Sequence, residues 1–500
     1  MKNNKLIRDR EERALIQKDI ENTPGELRAD SEELLNRCQA EVFKEYLPYV
    51  SSAYHVCEIE DDYSPAESVA AFDITKLVLE KDDKVIEKLK NVYYLLANSG
   101  DSVALVLTRK HKTSRLSLAV GIREKNSESV KNLATSLRDG ILGNFPGSEC
   151  SSVSHYSDEN GAVFQPLNIN GYFGDTNFSS VGIVSNIATD FSEEFTAQGI
   201  EKLIDGIRPW EGREYTLVIL GQSVSGTDLE LKKNSLYKVY SAMSPFAKIQ
   251  RNWGVNEGKN WSKSWNINLF GNAGLGQHFL PIGAAGTAVQ SILALTPGLG
   301  GSLGGGQSWG ESVGINKGQS VDITNYGISH TLEVIDQQMK RLEQCEALGL
   351  WNFAGYVFSS DFDLVNEVSR MYMSLTQGKE SFFERPSVNI WNAQSKGGAN
   401  RGEINKIRSY VTHLQHPIFK KDDEKASEYF NGENWPDEIL CTTGISGAEL
   451  ARSLNLPRSS VPGFAVIECA PFGREIVSYD RQHKGDIRIG RIHHMHHDEE

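Results

Sequence analysis

Apolar and polar positions along the chain alternate between helical and extended patterns of ordinary globular length. Leu27, Leu34, Leu35, Cys38 and Val42 recur at helical spacing behind Thr23-Pro24-Gly25-Glu26, which reads as a capping box with Pro at the first helical position. Ser64-Pro65-Ala66-Glu67 repeats that signature and predicts a second long helix reaching about Asn98. Val103, Leu105 and Leu107, then Leu116, Leu118 and Val120, predict a hairpin around the polar turn 110–114. A helix near 127–141 leads to the breaker Gly143-Asn144-Phe145-Pro146-Gly147. A strand near 179–187, a helix near 195–206, a strand at 215–220 and a helix near 227–243 follow. Leu332, Ile335, Met339 and Leu342 mark an amphipathic helix over 328–348 that ends at Gly349-Leu350-Trp351. A strand at 353–358, a helix at 362–376 and a strand at 387–391 come next. Residues 395–403 and 420–436 read as polar loops, and 437–492 as short strands with turns, suited to a small barrel or sheet.

One segment departs from all of this. Asn260, Ser262, Ser264, Asn266 and Asn268 alternate strictly with Trp261, Lys263, Trp265, Ile267 and Leu269. Ser308, Gly310, Ser312, Gly314 and Asn316 alternate with Trp309, Glu311, Val313, Ile315 and Lys317 in the same way. Period two puts one small polar face and one bulky face on each run, so the two read as legs of one long β-hairpin. Between them lies a Gly-rich apolar insert, 270–307, and from Ser264 to Asn316 the only charged side chain is Glu311. The uncharged stretch 279–297 is of near-spanning length, but Pro281, several Gly residues and the lack of basic anchors weigh against a membrane span. Side-by-side pairing of hairpins from several copies into a closed ring is the sharper reading, beside a loop packed on its own domain. Trp261, Trp265, Phe279, Ile282, Ile292, Leu293, Leu295 and Trp309 are the candidate oligomer or partner contacts.

The predicted fold is α+β and multi-domain, with mixed α/β layers, the long hairpin with its insert, and the small C-terminal portion. The expected divisions are 1–50 (N-terminal helices), 51–150 (helix plus hairpin), 151–259 (α/β), 260–323 (the hairpin), 324–436 (α/β) and 437–500 (small β portion). Five hundred residues suit roughly two to four domains. An apolar share of 39% with 24% charged residues describes a folded chain rather than a disordered one. The net charge of -14 argues against a general nucleic-acid coat, which needs a basic footprint. Six cysteines without C-x-x-C spacing indicate neither a zinc ribbon nor a disulfide framework, and fit a reducing cytoplasm. The charged first twenty residues do not form a secretory signal.

Two constellations bear on chemistry. Gly221-Gln222-Ser223-Val224-Ser225 is close to a nucleophile elbow, but Ser225 stands where an α/β-hydrolase needs Gly, so a plain strand-to-helix loop is expected. His493, His494, His496 and His497 look like a metal cluster, yet on a strand at most two share a face. They read better as the polar end of a strand entering a linker. Arg458 and Arg474 sit at turns and receive no role.

The C-terminal portion carries the most specific pattern. Ser446-Gly447-Ala448-Glu449-Leu450-Ala451, then Leu456-Pro457-x-Ser459-x-Val461-x-Gly463, Phe472-Gly473-Arg474 and Ile487-Arg488-Ile489-Gly490, resembles the segment before the motor domain of HerA-like ATPases and of the related conjugative type IV secretion ring ATPases. In that family a Walker A loop follows soon after, whereas no G-x-x-x-x-G-K-[ST] and no Walker B strand occur in these 500 residues. The resemblance implies the non-catalytic N-terminal region of a ring translocase, with its motor truncated or on a separate chain. It implies self-association, as a hexamer, and contact with a nuclease or other effector in DNA processing or phage (antiviral) defence. ATP and Mg are implied only for the motor domain, DNA contact only through it, and no cofactor or catalytic residue within this chain. The expected location is the cytoplasm, with membrane association as the lesser expectation. The competing expectation is a structural or membrane-facing assembly protein whose hairpins form a ring or pore.

Overall fold

Several strands are buried at every position rather than at every second one, which is what a sheet covered on both faces demands. The computed structural model describes residues 35–59 (apart from 37, 39 and 41), 68–80, 84–122, 126–155, 178–188, 199–207, 214–252, 320–324, 326–377, 385–393, 400–429, 432–469, 492–494 and 497–499. Strand β1 (Tyr54–Val56) follows a helical turn, and β2 (Val69–Glu80) precedes helix α1 (Val85–Tyr93). The hairpin of β3 (Ser102–Arg109) and β4 (Ser114–Gly121) leads to α2 (Ser127–Asn144), β5 (Glu149–Cys150) and β6 (Ser154–His155). Then come β7 (Ser180–Ser185), α3 (Ile200–Gly206), β8 (Tyr215–Ser223), α4 (Gly226–Ala247) and β9 (Lys248–Asn252). β10 (Ser320–Thr324), α5 (Tyr326–Leu348), β11 (Leu350–Ser359), α6 (Phe362–Thr376), β12 (Ser387–Asn392) and α7 (Asn400–Thr412) follow. The rest is β13 (Ile418–Lys421), β14 (Glu438–Leu440), β15 (Thr443–Ser446), α8 (Gly447–Ser453), β16 (Ala465–Cys469), β17 (Ile492–His494) and β18 (His497–Glu499).

Eleven of these strands form one sheet in the order β12-β7-β11-β8-β3-β4-β2-β16, with β15 beside β11 and β5 and β6 beside β2. Every pairing is antiparallel except β16 on β2. The 51–150, 151–259, 324–436 and 437–500 segments all contribute strands to it. The fold is therefore mixed α and β, and among the described residues no strand set closes into a barrel. The strands from 437–469 do not build a portion of their own. β15 and β16 add to the central sheet, and β14 pairs with β13 in a smaller sheet ordered β1-β13-β14.

The two faces of the sheet bury different side chains. Phe72, Leu105, Leu118, Leu217 and Phe353 point to one core, against Leu89 of α1, Leu137 of α2, Leu203 of α3, Val368 of α6 and Leu450 of α8. Ala71, Ala119 and Ala104 lie side by side across β2, β4 and β3 on the other face. Small side chains there let α7, β13 and residues 46–56 lie close, and Leu414 sits 3.0 Å from where a Cβ on Gly121 would stand. The result is a sheet between two layers.

Two of the helices over the sheet start at side-chain caps. Asn126 accepts hydrogen bonds from Glu128 N (3.1 Å) and Ser129 N (3.2 Å) at the start of α2, and Val130, Ala134, Leu137 and Ile141 form its buried stripe. Asp361 does the same for α6. One expectation fails clearly: Val69–Glu80 is a strand of 12 residues, not part of a helix, and helix resumes only at Val85. A strand buried on both faces has apolar residues at i+3 and i+4 as well as i+2, so its periodicity mimics a helix. The 395–403 and 420–436 loops also hide structure, since α7 begins at Asn400 and a helical turn spans Asp423–Ala426. The Thr23–Glu26 box lies outside the described residues.

Candidate functional site

Two elements stand where the sequence placed function: the loop that seats β16, and the helical stalk that leads to and from residues 253–319. The loop begins with α8. Ser446 and Glu449 form a complete capping box, with Glu449 Oε2 accepting from Ser446 N at 2.7 Å. Glu449 also takes both its oxygens to Arg341 Nη2 on α5, at 2.8 and 3.0 Å. Leu450, Ala451, Leu454, Leu456, Val461 and Phe464 are buried in the helix-covered core. Val461 and Phe464 exchange backbone hydrogen bonds (2.9 and 3.0 Å), closing a tight turn around Gly463. Gly463 has φ +88° and presses on the β3–β4 turn, where a Cβ would come within 2.3 Å of Thr113 Oγ1 and 2.4 Å of Ser114 O. Ser114 N donates to Pro462 O at 2.7 Å, and Ser460 Oγ holds Val466 through both N (3.0 Å) and O (2.9 Å). The loop thus fixes where β16 joins β2. The Phe472-Gly473-Arg474 and Ile487–Gly490 stretches lie outside the described residues, apart from the hairpin that follows them.

The stalk grows from the middle of the sheet. β8 and β11 are neighbours, α4 starts three residues after β8 ends, and α5 ends two residues before β11 begins. Leu229, Leu236, Val239 and Met243 of α4 pack on Ile328, Leu332, Ile335, Met339 and Leu342 of α5, with Cys38, Leu35 and Val42 alongside. The helices have 22 and 23 residues, so each runs about 33 Å. At their far end β9 and β10 pair antiparallel, Asn252 opposite Ser320 and Lys248 opposite Thr324. The pairing brackets residues 253–319, and the alternating runs expected to form the hairpin lie outside the described residues. The candidate contacts Trp261, Trp265, Phe279, Ile282, Ile292, Leu293, Leu295 and Trp309 lie outside the described residues, as does the 270–307 insert. No helix among the described residues is long and apolar enough to cross a membrane.

The serine pair near 221–225 has a plain structural role. Ser223 ends β8 fully buried, and its hydroxyl has no hydrogen-bond partner. Ser225 caps α4, taking Asp228 N on its hydroxyl (3.3 Å) and Leu229 N on its carbonyl (3.0 Å). The histidine cluster forms a hairpin rather than a strand end. β17 pairs with β18, setting His494 opposite His497 and His493 opposite Asp498, while His496 falls in the connection outside the described residues. No group of three or more His, Cys, Asp or Glu that could hold a metal occurs among the described residues. Cys38, Cys57, Cys150, Cys345 and Cys441 are free thiols. Burial pushes Cys150 and Cys441 up to about 11 and Cys345 to about 12, which keeps these sulfurs protonated and unreactive at neutral pH.

The sequence reading missed a buried polar chain beneath the second face. His416 Nε2 donates to Asn352 O (3.0 Å), so its Nδ1 accepts from the Tyr356 hydroxyl (2.8 Å). Nearby, Ser185 Oγ donates to Cys441 O (2.7 Å) and Asn389 Nδ2 donates to Leu47 O (2.7 Å). All are buried, and each group finds a partner, so the chain fixes the layer in place rather than offering a reaction centre. Nothing in the local sequence marks these residues, because their partners are 60 to 342 positions away. No protein-family model matches this sequence, and no curated protein matches it.

Proposed function

We propose that this chain is the non-catalytic, ring-assembling region of a HerA-like ATP-dependent translocase, scaffolding the oligomer and its effector contacts in DNA processing or phage defence. The stalk carries this reading. Two helices packed on each other, rooted in adjacent central strands, present residues 253–319 on an antiparallel base. Most of that stretch is uncharged, apolar and Gly-rich in sequence. Apolar surface of that extent calls for a partner, and copies of the same chain supply one when they close into a ring. The base pairs residues of equal parity, and both alternating runs carry their small polar residues at even positions, so the pattern suits one hairpin with a bulky side for neighbours. The seat of β16 supports the same reading, since it fixes the strand from which the chain continues toward the further motifs of the resemblance. ATP and Mg belong to the motor domain in this proposal, and no sequence here forms a phosphate loop for them.

The test is the particle mass of the purified chain by light scattering, together with an ATP hydrolysis assay. A hexamer without hydrolysis above the buffer blank is expected. A monomer at micromolar concentration, or turnover that follows the protein through purification, overturns the proposal.

A further inference from the structure

β12 closes one end of the central sheet, and among the described residues no strand pairs with its outer side. Its register on β7 runs from Ser387 opposite Ser185 to Asn392 opposite Ser180, and the next residue, Ala393, gives its N–H to Ser179 O at 2.7 Å. Antiparallel neighbours alternate between pairs that exchange both backbone bonds and pairs that exchange none. Counting back from Ala393, it is Trp391, Asn389 and Ser387 that bond to β7. Val388 and Ile390 therefore turn both N–H and C=O outward, and no backbone group among the described residues takes them up. Such an edge is a template for another strand, and proteins ordinarily blunt it with charge, Pro, a bulge or very short strands. The far side of the sheet has those devices: β5 and β6 are two residues each with a register shift on β2, and β16 carries an exposed Glu468. β12 has six residues and neither charge nor Pro.

The two sides of β12 differ in chemistry, and a strand laid beside it must match both. Val388 and Ile390 are half-buried against the helix-covered core, so apolar side chains belong next to them. On the other face Asn389 bonds Leu47 O and Trp391 stacks inward on Phe419, so small polar side chains suffice beside them and Ser387. Residues 260–269 carry this alternation in sequence, with Trp261, Trp265 and Ile267 at odd positions against Ser262, Ser264 and Asn266 at even ones. That run contains no Gly or Pro and one charge, Lys263, whereas the 308–316 run is interrupted by Gly310 and Gly314.

We propose that the β12 edge receives residues 260–269 of a second copy as an added strand, recognised through the outward backbone groups of Val388 and Ile390. The choice of occupant rests on the assembly reading above, to which this adds the place where the segment lands. Main-chain bonds supply the affinity in such an addition, and the alternating side chains set its register. Segment on edge is a heterologous contact, with a different surface from each copy. Repetition of such a contact about an axis closes a ring, which a self-matching contact between two copies does not.

The experiment compares the full chain with Ile390→Pro and Val388→Lys by light scattering and thermal melts, and titrates each with a labelled synthetic peptide of residues 259–269. Pro at 390 deletes an N–H that bonds nothing in the sheet, and Lys at 388 adds the charge that natural edges carry, so both variants melt cooperatively. If the parent is assembled, both variants fall to the mass of one chain, and excess peptide breaks up the parent. If the parent is a single chain, the peptide binds it saturably and both variants weaken that binding about tenfold or more. Either way, filling the edge slows hydrogen exchange at the Val388 and Ile390 amides and leaves Asn389 and Trp391, already held by β7, unchanged. Variants that keep an assembled parent's mass, peptide that a single-chain parent binds no better than the variants or not at all, or fast exchange at 388 and 390 in the filled state overturns the proposal. A single-chain parent sinks the assembly reading alone, because the peptide then decides this inference by itself.

Discussion

His416 has no exposed surface, and both its ring nitrogens are occupied, one by a backbone carbonyl and one by a phenol. Burial brings it down to about 4, because an imidazolium there would lose its hydration. The unfolded chain binds that proton near 6.5, so between the two values the unfolded state holds more protons and stability falls as pH falls. The contribution is complete above about pH 6.5 and is lost by about pH 4, on the order of 3 kcal/mol in total. Urea midpoints across this range should drop steeply for the parent chain and less steeply for His416→Gln. Identical slopes would show that other groups govern the acid limb. Gly463 makes a second prediction at this scale. Ala there must adopt φ +88° and collide with Thr113 and Ser114, at a cost of roughly 2–4 kcal/mol. Hydrogen exchange should locate the damage, with amides of 465–469 losing protection first. Uniform loss across the sheet would argue that the loop is not a local clasp.

At the level of elements, α5 and α8 are joined by one ion pair that doubles as a cap. Arg341 and Glu449 are 17% and 12% exposed, and Glu449 also satisfies the Ser446 amide. Removing the carboxylate takes the ion pair from Arg341 and opens the cap, so Glu449→Ala costs roughly 3 kcal/mol. The double variant with Arg341→Met should cost less than the sum of the singles by about 1–2 kcal/mol, measured by chemical denaturation. Strict additivity would place the effect in the cap alone. The helix at 362–376 was legible, whereas the Ser446–Glu449 box went unread as a cap although its two residues stand three apart. Local signals of that kind need only neighbours in sequence. β2 was misread because Val69–Glu80 is buried on both faces, and its apolar run fits either period. α7 was passed over although Ile404, Ile407, Tyr410 and Val411 carry helical spacing, because its polar start, Asn400-Arg401-Gly402, resembles a loop. The chain of His416, Tyr356 and Asn352 had no local signature at all, because only the fold brings its members together.

For the whole molecule, the sheet and the stalk make separable demands on the chain. Among the described residues, the sheet's cores are built by the sheet, the helices that cover it and residues 46–56, and the stalk core packs α4 against α5. Asn252 and Ser320 face each other at the end of the β9–β10 pair. A two-residue Asn-Gly turn is the natural connection between antiparallel residues so placed, since it matches the twist of the strands. Replacing 253–319 by Asn-Gly should therefore leave the body folded, with a thermal midpoint close to that of the parent. The parent's particle mass, in contrast, should fall to that of a single chain, because the segment proposed to join copies has gone. Light scattering and thermal melts on one preparation of each protein read both quantities. A deletion that stays oligomeric moves the assembly contact onto the sheet and its helices. A deletion that no longer melts cooperatively makes the segment part of the body's own core, and the stalk would then be a tether for a packed loop rather than a mount for a ring.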